Sequence, residues 1–338
     1  MINVALLSKW HVHAVDYALQ AEQNKNITIK AVWDENPERG KKWAQELGVR
    51  FVFDLLNVLM DAEIDAVIVD SPTNLHKEII SLAAKHKKHV FTEKVLAFTN
   101  QDCEEIFSII KENQVKLMVS LPRLTESYYL YAQDVLENGL IGKLSSIRCR
   151  CAHNGAVSFE GNPNGWLPSH FFSKEECGGG ALIDLGAHPI YLTNRLAGPV
   201  KAVTARLQQT LGYDVDDNAV VLVEYESGAL GTIETSFLSN GSPFQLELYG
   251  TEGTLMIEDG KARLKSNLLD GEWSIPNQLP KSHPMPLEQW VAAIIDNSEP
   301  TINENDIRNL TLINQAASLS NEIGQRVEIS DISKLITN

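Results

Sequence analysis

Short apolar, β-branched runs alternate with amphipathic stretches through the first third of the chain. VALL (4–7), ITIKAVW (27–33), AVIV (66–69), HVFT (89–92) and KLMVS (116–120) each have the length of a strand buried on both faces. Between them, residues 12–23, 37–47, 74–87 and 99–113 carry helical periodicity, and Asn36-Pro37 and Thr73-Asn74 suit helix starts. Strand-helix alternation of this kind predicts a doubly wound parallel sheet. A helix over 126–138, closed by Asn138-Gly139, ends this regime. From residue 144 the period drops to two: SSIRCRCA, VKAVTARLQQ, NAVVLVEY, ALGTIETSF, FQLELYG and GTLMIED are separated by Gly, Ser or Asp turns. These runs predict a mostly antiparallel sheet, with one face covered by a helix around 185–197. A last helix over 304–323 stops at Gly324, and the pattern does not show which domain it joins.

Composition narrows the function classes. The 338 residues are long enough for two domains, and the 43% hydrophobic and 22% charged fractions supply each with a core. The formal charge of −15 repels phosphate backbones and anionic lipid, so nucleic acid and membrane partners are not expected. Cysteines at 103, 149, 151 and 177 form neither a disulfide framework nor a zinc knuckle, which points to reduced thiols. The first ten residues read as a buried strand rather than a signal peptide, and no apolar run approaches a bilayer span. A soluble, cytoplasmic protein is the expectation.

The turn after the first strand is where a dinucleotide fold carries G-x-G-x-x-G, and here it reads Ser8-Lys9-Trp10-His11-Val12-His13. All three glycines are replaced. A helix opening near Val12 still offers free N–H groups and a positive dipole end to a diphosphate, with Ser8, Trp10, His11 and His13 as candidate contacts. The alternative is a loop that has lost its ligand, its histidines capping and packing. Asp34, 21 residues beyond His13, is placed to accept the adenosine ribose hydroxyls and to repel a 2′-phosphate, which favours NAD over NADP. It also reads as a solvated turn residue before Asn36-Pro37.

Two later segments are more specific. Residues 65–97, DAVIVDSPTNLHKEIISLAAKHKKHVFTEKVLA, resemble the Gfo/Idh/MocA oxidoreductases in their Pro-Thr-x-x-His and Glu-Lys stretches. GGGALIDLGAH (178–188) is similar to the family's second signature almost letter for letter. The resemblance extends through 137–148, 215–236 and 246–255, and so spans essentially the whole chain. It implies an α/β Rossmann dinucleotide-binding domain over 1–121 and an α+β substrate-binding and oligomerisation domain with a large, mostly antiparallel sheet over 122–338. It implies NAD-dependent hydride transfer at a hydroxyl-bearing carbon of a sugar, inositol or related polyol. On the family pattern His188 is the acid/base, Asp184 orients it, and Lys94 hydrogen-bonds the reacting oxygen. Pro72, Asn74, His76, Glu93 and Lys94 join the cofactor site, while Arg123, His153, Asn154, Trp166 and Tyr191 line the substrate cleft. A buried Lys94–Asp184 pair with a packing His188 is the plainer alternative.

The chain departs from the pattern at Val95, where the family has proline after a cis peptide. A non-proline cis bond costs ~3 kcal/mol, so a trans Lys94–Val95 bond is expected. Tyr191 stands three residues past His188, where the family often has an acid or Asn. Asp184 and His188, four apart, would share a helix face. His11, His13 and His76 have no carboxylate or Cys at a ligand spacing, so no metal is expected. An exposed apolar sheet face would need a cover, and the family resemblance implies that the cover is a second copy, in a homodimer or homotetramer. Two further classes stay open: a non-catalytic dinucleotide or sugar sensor, and a redox-neutral lyase or glycosidase that recycles its hydride.

Overall fold

The computed structural model describes residues 1–332, and every count below refers to these. The chain divides into two compact units, one of residues 1–121 with 284–303, the other of 122–283 with 304 onward.

In the first unit β1 (Ile2–Leu7), α1 (Ala14–Gln23), β2 (Ile27–Trp33), α2 (Pro37–Leu47), β3 (Arg50–Phe51), α3 (Leu55–Leu59), β4 (Ala66–Val69), α4 (Thr73–Lys85), β5 (His89–Thr92), α5 (Asn100–Asn113) and β6 (Leu117–Val119) follow in order. The six strands are parallel and run β3-β2-β1-β4-β5-β6. The strand order reverses between β1 and β4, the crevice where such sheets take ligands. AVIV of β4 is buried throughout, as its unbroken apolar run requires. Local chemistry fixes the helix starts: the Asn36 side chain caps α2 by accepting the Glu38 and Arg39 N–H groups, and Thr99 caps α5 through the Asp102 N–H.

The second unit begins with α6 (Ser127–Glu137), β7 (Leu144–Ala152), α7 (Lys174–Cys177) and α8 (Ala187–Ala197). There follow β8 (Val200–Gln208), β9 (Asn218–Tyr225), β10 (Leu230–Ser236), β11 (Gln245–Gly250), β12 (Gly253–Glu258), β13 (Lys261–Ser266) and β14 (Trp273–Ser274). Then the chain returns: α9 (Pro286–Ile295) belongs to the first unit, where Trp290 is buried with its ring 5.8 Å from Phe91. An uninterrupted second domain over 122–338 is therefore corrected, because the apolar face of α9 is buried by β5 and β6. The last helix, α10 (Glu304–Ile323), packs on β8 and α8 in the second unit, and β15 (Val327–Glu328) closes the sheet edge.

The nine-stranded sheet runs β14-β13-β12-β11-β7-β10-β9-β8-β15 and is antiparallel except for the β7–β10 pair. Helices α8 and α10 cover one face. The open face is mixed in character. Arg148 grips Glu234 with two bonds of 2.7 and 3.0 Å and reaches Glu247 at 3.1 Å, while Val220, Leu222 and Leu230 stand exposed beside this network. Paired charges and exposed apolar side chains therefore share the uncovered face. All four cysteines are free and buried, and no helix among the described residues is long and apolar enough to cross a membrane.

Candidate functional site

In the first unit, the loop after β1 keeps its sharp turn without glycine. Ser8 takes φ +78°, the conformation that glycine supplies most cheaply. Its hydroxyl oxygen accepts the Trp10 N–H at 3.1 Å and an Arg39 N–H at 3.3 Å. Ser8 and Trp10 are buried, which makes them walls of the turn rather than exposed contact groups. The backbone trace and the start of α1 fit a dinucleotide diphosphate, since the helix N-terminus and its positive dipole end are in place.

Asp34 is buried and fully engaged. Its carboxylate accepts Arg39 Nε at 2.9 Å, Arg39 Nη2 at 2.7 Å, the Lys9 N–H at 2.9 Å and the Asn36 N–H at 2.8 Å. An acceptor so occupied ties the loop to α2, and the adjacent guanidinium neutralises the repulsion expected against a 2′-phosphate.

The loop histidines meet a carboxylate that sequence spacing hides, Glu93 at the end of β5. His13 Nδ1 is 2.8 Å and His11 Nδ1 3.9 Å from Glu93 Oε1, and the Tyr17 hydroxyl donates to the same oxygen. The ligating atoms of His11, His13 and Glu93 all lie within 4.8 Å of one another. Burial alone would raise the Glu93 pKa, but His11 and His13 facing it hold the carboxyl well below its usual range. Nearby Asp70 follows β4, with its main-chain carbonyl accepting the His11 N–H at 3.0 Å. Its carboxylate is buried with neither oxygen hydrogen-bonded, and burial together with negative Glu93 pushes its pKa well up.

Glu93 also accepts the Lys94 N–H at 2.8 Å, and Lys94 is buried. The Lys94–Val95 peptide is cis, which corrects the expected trans bond. The segment is held from outside: Val95, Leu96 and Ala97 are buried, and His76 Nδ1 lies 3.0 Å from the Val95 carbonyl and 3.3 Å from that of Leu96. His76 Nε2 reaches the Ser71 carbonyl at 3.1 Å, so this buried ring joins two main-chain segments. Pro72 precedes α4 and is buried; Asn74, in its first turn, is exposed.

In the second unit, Asp184 lies in the turns before α8, not on a helix, because glycines at 178–180 break the helical run. The helix-face pairing with His188 is corrected accordingly. The glycines have distinct reasons. Gly178 caps α7 at φ +77°, while a Cβ on Gly180 would lie 1.9 Å from the Asp216 carbonyl oxygen. Asp216, not singled out from sequence, clamps the turn by accepting the Gly180 N–H at 2.9 Å and the Leu182 N–H at 2.8 Å.

His188 sits in the first turn of α8 with Nδ1 2.7 Å from the Tyr191 hydroxyl. Tyr191 is buried, and its oxygen also accepts the Arg123 N–H at 3.3 Å. The Tyr191 hydroxyl thus faces His188 and the Arg123 main chain inside the second unit. The Arg123 guanidinium donates to the Tyr128 hydroxyl at 3.1 Å and lies over the Phe244 ring. His153, Asn154 and Trp166 do come together. Trp166 Nε1–H donates to the Asn154 side chain at 3.1 Å, and His153 stacks on Phe237 with centroids 5.2 Å apart.

Against known proteins, residues 11–121 match the model of the oxidoreductase family with an NAD-binding Rossmann fold, and residues 129–256 match the GFO/IDH/MocA C-terminal domain. The chain belongs to the Gfo/Idh/MocA family. Within it, levoglucosan dehydrogenase of Pseudarthrobacter phenanthrenivorans is 27% identical over 68% of this chain and 64% of that protein. This chain thus spans just under two thirds of that relative's length in the match. Myo-inositol 2-dehydrogenase of Thermotoga maritima is 28% identical over 71% of this chain and 72% of that enzyme. Among solved structures, levoglucosan dehydrogenase in complex with NADH and L-sorbose superposes with a TM-score of 0.83 at 22% identity, covering 97% and 98% of the two chains. This Gfo/Idh/MocA protein shares that fold throughout.

Proposed function

We propose that the protein is an NAD-dependent dehydrogenase that oxidises a secondary hydroxyl of a sugar, inositol or related polyol. Family membership supports the class, as do relatives named as levoglucosan and inositol dehydrogenases. The observation that carries the reading is His188, held by a buried tyrosine at one ring nitrogen. Nothing in the chain favours the redox-neutral lyase.

When bound, NAD supplies the hydride acceptor. The residues of this chain supply the rest. With Nδ1 anchored on Tyr191, His188 exchanges the hydroxyl proton at Nε2, and fixing the ring reduces the reorganisation that proton transfer costs. Lys94 is assigned to the hydroxyl oxygen, where a cation favours developing alkoxide, and Asp184 to orienting the base. The N-terminal end of α1 faces the diphosphate with its positive dipole end, and buried Ser8 shapes the turn before it.

The test uses the rise in reduced-nicotinamide absorbance with a panel of sugars and inositols. His188→Ala should lower turnover by roughly 10²–10⁴ while NAD affinity stays within a few-fold. Undiminished turnover in this variant overturns the assignment. Net substrate conversion with no reduced cofactor overturns the dehydrogenase reading.

A further inference from the structure

The cluster at the carboxyl ends of β1 and β5 is more than dinucleotide binding needs. We propose that His11, His13 and Glu93 are the protein ligands of one divalent transition-metal ion, with zinc the best match, at the crevice of the parallel sheet.

Geometry carries this first. Zinc binds imidazole nitrogen and carboxylate oxygen at about 2.0–2.2 Å, so two ligands of one ion stand no more than about 4.2 Å apart. The three candidate atoms already fall within 4.8 Å, with His11 Nδ1 3.9 Å and His13 Nδ1 2.8 Å from the same carboxylate oxygen. Small side-chain rotations bring all three onto one ion. Two imidazoles and one carboxylate suit zinc and its neighbours, whereas magnesium and calcium prefer oxygen throughout.

Charge carries it second. One imidazole is enough to hydrogen-bond Glu93, and His13 does that at 2.8 Å with a ring whose side chain is 41% exposed. A second imidazole is almost wholly buried at His11, where its Nδ1 accepts the His13 N–H at 3.2 Å and faces the same carboxylate at 3.9 Å. Asp70 then adds a further carboxyl, with no accessible surface and neither oxygen hydrogen-bonded. Burying an unpartnered carboxyl beside a carboxylate is costly, and a dication at the cluster offsets both groups. Tyr17, donating to Glu93, fixes the carboxylate as outer-shell partners of metal ligands do. Three protein ligands leave at least one position for water or for an oxygen of a bound anion. The site lies wholly within the first unit and holds whether or not the protein turns over a polyol.

The experiment titrates zinc chloride into the full-length, chelator-treated protein against a chromogenic chelator, with metal content read by mass spectrometry after dialysis. One zinc per chain is expected, with affinity falling about 100-fold in His13→Ala, whose ring is partly exposed so that water can take its place beside Glu93. His11→Ala should lose as much, and melting curves report whether it folds; if it does not, His13→Ala decides. A wild-type protein without stoichiometric zinc, or a His13→Ala variant that binds as tightly as wild type, overturns the site. NAD titration of the same samples separates the readings. Zinc retained by a chain that does not bind NAD still supports the metal site, and tight NAD binding by a wild-type chain that takes no zinc overturns it.

Discussion

The loop over 8–13 and the turn over 178–188 solve the same problem in opposite ways. Both reverse the chain ahead of a helix, and both lie where the family has glycine. The first has replaced every glycine, while the second retains all three at 178–180. At Ser8 the requirement is only a positive φ, which a small polar residue meets at modest cost while its hydroxyl binds Trp10 N–H and Arg39. At Gly180 the requirement is space, because the Asp216 backbone occupies the room of a side chain. Torsional preference can be traded against hydrogen bonds; a backbone collision has nothing to trade.

The largest expected effect breaks the second turn. Gly180→Ala should destabilise the protein by about 4 kcal/mol or more, since the new methyl would meet backbone and the Asp216 clamp must open. Urea unfolding that shows less than about 1 kcal/mol would mean the turn is far softer than its packing implies.

Next comes the acid beside the first turn. The folded pKa of Asp70 lies above its unfolded value, so its ionisation costs stability increasingly as pH rises through that range. Asp70→Asn in metal-free protein should therefore gain about 1–3 kcal/mol at neutral pH, and the gain should fade toward and below about pH 4. Saturating zinc should shrink it. A variant no more stable than wild type at neutral pH would count against an unpartnered carboxyl there.

Ser8→Gly should change stability least, by no more than about 1 kcal/mol, because relief of the positive φ is offset by loss of two hydrogen bonds. Trp10 differs from it, although both sit at former glycine positions. Its ring is buried, so restoring glycine at 8 and 10 together would open a cavity before it altered any ligand contact. A clear loss of stability in Ser8→Gly alone would show that the hydroxyl, not the torsion, governs this turn.

Most of the architecture is legible because it rests on local period. The five parallel runs of the first third and the six alternating runs after residue 144 all form strands, and the helix over 304–323 is found with those ends. What escapes sequence reading is set by distance or by collision. His13 and Glu93 are separated by 80 positions, so no ligand spacing reveals them as neighbours. Asp184 is displaced from a helix by steric demands at Gly180 that depend on Asp216. The Lys94–Val95 bond follows packing around 95–97 and His76 rather than intrinsic preference. Tyr191 is recognisable as unusual at its position, but only burial shows that it faces His188.

The return of α9 to the first unit has a consequence for synthesis. The strands of that unit are complete at residue 121, yet Trp290, which covers Phe91, emerges only after nearly the whole second unit has been made. At the usual rate of chain elongation this is a wait of roughly ten to thirty seconds, during which the apolar floor beneath β5 and β6 stands uncovered on the ribosome. A nascent chain of this topology therefore has a defined window of chaperone dependence, and a fragment cut at residue 121 would be born permanently inside it.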